Sequence, residues 1–127
     1  MAYLETRGLT KVYRRGNETT TALDGVSFTV EQGEMVGIVG RSGSGKSTLM
    51  HLLGCLDKPT AGQYLLNGRD MSALPRRRLG AVRNREIGFV FQQFHLIGSL
   101  NAVENVELPL LYRGLPAKER RQRAEEC

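Results

Sequence analysis

Gly40-Arg41-Ser42-Gly43-Ser44-Gly45-Lys46-Ser47-Thr48 follows the apolar run Met35-Val36-Gly37-Ile38-Val39 and opens into Leu49-Met50-His51-Leu52-Leu53. The order predicts strand, glycine loop, helix. Glycines let successive backbone N–H groups turn inward around an anion, and the helix that follows adds the positive end of its dipole. Lys46 would meet the outer phosphates as a point charge, and the Ser47 hydroxyl would ligate the Mg2+ that accompanies them. A flexible glycine and serine linker has the same composition, but it would not be bracketed by an apolar strand and an apolar helix. The expected ligand is a nucleoside triphosphate.

The rest of the chain sets bounds on that reading. At 127 residues and 40% apolar content it suits one small globular core. No window approaches the roughly 18 apolar residues of a membrane span, and Met1-Ala2-Tyr3-Leu4-Glu5 does not begin a signal peptide. Cys55 and Cys127 are too few for a disulfide scaffold, and Cys55 beside Leu52, Leu53 and Leu56 reads as a buried apolar residue. Net charge is +5, with basic residues gathered at Arg76-Arg77-Arg78, Arg83, Arg85 and Lys118 to Arg123. Glu86, Glu119, Glu125 and Glu126 interleave with them and no aromatic residues accompany them, which describes solvated helix faces; nucleic acid is not the expected partner.

In chain order, residues 3 to 13 and Val26-Ser27-Phe28-Thr29-Val30 alternate as half-buried antiparallel strands, with a turn at Gly16-Asn17 between them. Met35 to Val39 is continuous, as expected of a strand covered on both faces, and Met35 and Met50 read as core. The loop helix stops at Gly54. After the loop Asp57 to Gly62, Gln63-Tyr64-Leu65-Leu66 with Asn67-Gly68 predicts a strand and turn, and Pro75 a basic helix to about Asn84. Ile87-Gly88-Phe89-Val90-Phe91 predicts a second fully covered strand, ending at Gln92-Gln93. Asn101-Ala102-Val103-Glu104 is a capping box whose helix Pro109 should kink or end, and a last helix starts near Pro116.

With GRSGSGKST, Gln92 after an apolar strand and Tyr13 in Lys11-Val12-Tyr13-Arg14, the chain resembles an ABC-transporter ATP-binding domain. The run IGFVFQQFHLIGSLNAVENVELPLLYRG, from Ile87 to Gly114, is similar to the branch serving lipoprotein release and macrolide export, and Gly54 to Thr60 matches as well. The resemblance implies an α/β P-loop NTPase fold, an ABC ATPase core with an antiparallel β subdomain. By resemblance Tyr13 stacks on adenine, residues 40 to 48 are the Walker A motif, and Gln92 is the Q-loop glutamine, which contacts Mg2+ and senses the membrane partner. His95 and Gly98 depart from the Asn and Pro often found there.

The family's signature LSGGQ, Walker B aspartate, catalytic glutamate and switch histidine are not in these 127 residues, and none of Asp24, Asp57 and Asp70 ends an apolar strand. The final helix has no stop signal. The chain therefore reads as the N-terminal portion of one ABC nucleotide-binding domain, truncated before the signature motif, with no catalytic residue assigned. The resemblance implies ATP and Mg2+ as ligands, a membrane-spanning permease and a second copy as partners, and a peripheral place on the cytoplasmic face of the membrane. Two alternatives stay open: a non-catalytic nucleotide-binding fragment, and a soluble ABC ATPase that does not serve transport.

Overall fold

A computed structural model describes residues 2–41, 43–90 and 96–127. Of the residues singled out above, Met1, Ser42, Phe91, Gln92, Gln93 and His95 lie outside the described set. The chain divides into two units, residues 1–79 and 80–127.

The first unit is built on a four-stranded sheet in the order β2-β1-β3-β4, antiparallel throughout. Strands β1 (Leu4–Arg15) and β2 (Glu18–Val30) form a long hairpin closed at Gly16 and Asn17. Its register shifts between Thr6 and Leu9 and again near Lys11, and Gly8 and Gly25 take positive φ at these irregularities. Each bulge leaves backbone groups off the ladder, and hydroxyls collect them. Buried Thr6 donates to the Val26 carbonyl and accepts from the Phe28 N–H, while Ser27 accepts from the Gly8 N–H. β3 (Ala61–Leu66) pairs with the other side of β1, and β4 (Arg69–Asp70) closes the edge.

Helix α1 (Lys46–Leu53) buries Leu49 and Leu52 and approaches β2. Its far end is fixed twice. The Cys55 N–H bonds the Leu52 carbonyl and the Leu56 N–H bonds the His51 carbonyl, the paired reversal that closes many helices. The left-handed residue in this reversal is the buried Cys55, at φ 58, whereas Gly54 has ordinary helical-side φ −81. The buried Tyr64 hydroxyl then donates 2.6 Å to the Leu53 carbonyl, tying the helix end to β3. Burial, with lesser contributions from Cys55 and Tyr3, pushes that hydroxyl's pKa well above the ordinary phenol value.

A 3-10 turn at Met71–Ala73 leads to α2 (Arg76–Glu86), at which the division between units falls. In the second unit α3 (Ala102–Tyr112) packs with α4 (Ala117–Glu126). The capping box forms as expected: Asn101 accepts from the Glu104 N–H and Glu104 accepts from the Asn101 N–H. Gly114, at φ 85, reverses the chain after α3, its N–H on Leu111 and the next N–H on Leu110.

Four expectations are corrected. Residues 34–40 and 87–90 are not strands, and no strand of the sheet pairs with either run. Met35 is 97% exposed and Val39 93%. An apolar run becomes a covered strand only when ladders form beside it and elements pack over it, and the continuous pattern reports the side chains without supplying the neighbours. Met35 is therefore not core, and Met50 is exposed on α1, facing away from Leu49 and Leu52. Pro109, expected to kink or end α3, lies inside it. Its ring removes one N–H, but its carbonyl still accepts from the Arg113 N–H and from Asn84, so the last turn keeps its bonds.

Candidate functional site

The loop that precedes α1 turns on glycine. Gly43 and Gly45 stand at φ 81 and 95, in the left-handed region that side chains disfavour. Gly45 is also the N-cap of α1, and among the described residues no side chain caps that end of the helix. The first-turn N–H groups, with the helix dipole behind them, are available to an anion. The Ser44 N–H folds back to the Arg41 carbonyl, and the Lys46 ammonium reaches across the loop to the Gly40 carbonyl. Lys46 thus curls over the same loop whose amides it would share with a phosphate. Ser47, on the first turn, is exposed and offers a hard oxygen donor of the kind Mg2+ takes. Thr48 is half-buried behind it. The residues present fit a phosphate chain with its ion.

What seats this loop is β2. A Cβ on Gly45 would stand 2.4 Å from the Ala22 carbonyl oxygen, so only glycine allows the approach. Ala22 lies between Thr21 and Leu23, the partners of Val12 and Lys11, and Tyr13 pairs with Thr20. The hairpin therefore brings the Tyr13 end of β1 beside the start of α1. Tyr13 is 42% exposed, with the Lys11 ammonium 5.3 Å from its ring centroid. A Cβ on Gly40 would meet the Ser44 hydroxyl at 2.6 Å, a contact that a turn of the Ser44 side chain relieves.

The model of the family described as ABC transporter matches residues 23–127. The chain belongs to the ABC transporter family. An ABC transporter ATP-binding protein of Thermotoga maritima, itself uncharacterized, is 58% identical over 116 residues, covering 91% of this chain and 50% of that protein. YknY of Bacillus subtilis, also named as an uncharacterized ABC transporter ATP-binding protein, is 54% identical, covering 92% of this chain and 51% of its own length. The macrolide export ATP-binding/permease protein MacB of Hyphomonas neptunium is 51% identical over 95% of this chain and 19% of its own. The chain thus spans about half the length of the first two relatives. A dimeric ATP-binding cassette in a post-hydrolysis state bound to ADP and Pi superposes with a TM-score of 0.87 at 45% identity, covering 98% of this chain and 55% of that one. The fold is that of an ABC ATPase cassette, a mixed α/β P-loop architecture with an antiparallel sheet.

The sequence singles out the glycine loop and Tyr13 but not the residues that contact them or their strand in the fold, Lys11, Ala22, Asp57 and Thr60. Lys11 was within reach, because two residues along a strand share a face. The others are joined to the site only by the fold. Lys11 pairs with Asp57 at 3.0 Å and donates 2.8 Å to the Lys58 carbonyl. Partial burial raises the Asp57 pKa, but the bonds from Lys11 and the Lys58 N–H, with the charges of Lys11 and Arg76, outweigh it and hold the carboxyl below its ordinary range. Among the described residues no helix is long and apolar enough to cross a membrane.

Proposed function

We propose that residues 1–127 form the N-terminal portion of one ABC nucleotide-binding domain, that they bind ATP with Mg2+, and that the whole protein couples ATP binding and hydrolysis to export. The observation that carries this reading is the glycine-capped start of α1, with no side-chain cap among the described residues and Lys46 folded over the loop. Gly40 to Thr48 surround the phosphates, Arg41 and Ser42 among them. Lys46 meets the outer phosphates, Ser47 holds Mg2+, Tyr13 stacks on the base, and Gln92 joins the ion to the partner-facing loop. Export through a fused or separate membrane-spanning permease is supported by the similarity to MacB, a macrolide export ATP-binding/permease protein, and action as a pair of copies by the dimeric cassette. Such a protein works at the cytoplasmic face of the membrane.

A second reading, in which the chain holds ATP without turning it over, is favoured by the state of its aspartates. Asp57 is taken up by Lys11, Asp70 accepts from the Ser72 N–H and hydroxyl, and Asp24 lies exposed on β2. Phosphate release from MgATP, measured on the whole protein, separates the two readings. The site itself is tested by equilibrium titration. Lys46→Ala is expected to weaken ATP binding more than tenfold, about 1.4 kcal/mol or more. Equal affinity of the two proteins would refute the assignment.

A further inference from the structure

The segment after α1 is stitched to β1 in the stretch that carries Tyr13. The Thr60 N–H donates 2.8 Å to the Thr10 carbonyl, and the Thr60 hydroxyl accepts from the Val12 N–H at 3.0 Å. Between these bonds the Lys11 ammonium meets the Asp57 carboxylate and the Lys58 carbonyl, with only 14% of the Lys11 side chain exposed. A lysine so held has lost the rotamer freedom that makes exposed pairs weak. Its ammonium also lies against the Tyr13 ring, 5.3 Å from the centroid, at the distance of a cation–π contact.

We propose that Asp57 to Thr60 is a positioning clamp for Tyr13: Lys11, pinned at its ammonium, covers one face of the ring and fixes its rotamer, leaving the other face to stack on the nucleotide base. The inference rests on the reading of Tyr13 as the base-stacking residue. A ring fixed before binding loses less freedom when a base arrives, and a cation on its covered face draws density from the open one. Lys11 is a positioning residue that meets no part of the nucleotide. The clamp contributes to affinity for the base and not to affinity for the phosphates. It also joins the exit of α1 to the strand that carries Tyr13, so the phosphate and base ends of the site share one support.

The experiment compares dissociation constants for MgATP and for inorganic triphosphate with Mg2+, measured calorimetrically on the full chain. Asp57→Asn and Lys11→Met are expected to weaken ATP binding about threefold to tenfold and leave triphosphate unchanged, with Lys11→Arg recovering most of the loss. Tyr13→Ala is expected to show the same selective loss, and Asp57→Asn added to it no further loss, since the two act through one ring. A thermal melt checks that each variant folds. If Lys11→Met does not fold, Asp57→Asn, which keeps an acceptor in place, carries the comparison. Parallel losses for ATP and triphosphate, or a selective loss in Tyr13→Ala with none in the clamp variants, would overturn the clamp while sparing the stacking role of Tyr13. No selective loss in Tyr13→Ala would remove that role and the clamp together.

Discussion

Gly45 and Asp57 show how much a single residue decides here. Gly45 is at once the left-handed N-cap of α1 and the point where the loop touches the Ala22 carbonyl, so two separate constraints exclude any side chain. Asp57 holds Lys11 and thereby a corner of the first unit. Its folded pKa lies below the ordinary 3.8, so its pairing stabilises the fold fully above that value and loses its effect as pH falls through the folded one. The melting temperature of the natural chain is therefore expected to exceed that of Asp57→Asn by a margin constant above about pH 5 that shrinks below about pH 4. A margin that grew on acidification would contradict the pairing. The glycine loop and Lys46 were legible from sequence because the motif is local and each residue type has one physical reason to be there. The pairing of Lys11 with Asp57 was not, because nothing near either residue reports a partner far along the chain.

Among the elements, those with local signals were legible and those that depend on neighbours were not. α3 begins at a capping box written in adjacent residues, whereas its end at Tyr112, two residues before Gly114, was not read from the sequence. The hairpin was recognised by its alternation, though β2 runs from Glu18 and not only from Val26, because bulges with glycine and hydroxyl partners let it continue through an irregular stretch. Met35 to Val39 and Ile87 to Val90 carry the apolar pattern of covered strands, yet a strand is made by its ladders, and among the described residues no strand pairs with them. β3 depends on one close approach: Gly62, at φ 86, would place a Cβ 2.3 Å from the Gly8 carbonyl oxygen. Gly62→Ala is expected to destabilise the chain by about 2–4 kcal/mol through backbone strain and displacement of β1 from β3, read in urea unfolding. A change under about 0.5 kcal/mol would mean that the strands are not in this register.

On the scale of the whole molecule, the glycine loop proposed to hold the nucleotide lies in the first unit, in a chain that spans about half the length of the first two ABC relatives. The base, phosphate and ion roles proposed above fall to β1, the loop and the first turn of α1, and β2 meets the loop at the Gly45 contact. The residues proposed to meet the phosphates all fall within Gly40 to Thr48, so phosphate binding is expected without residues elsewhere. The most direct test is amide nuclear magnetic resonance on the isotope-labelled chain during titration with MgATP. The amides of Gly43 to Leu49 are expected to move first and farthest, in a saturable manner, with Tyr13 following at the same midpoint. Saturable shifts confined to other residues, or none at millimolar nucleotide, would contradict the assignment of this loop as the nucleotide site.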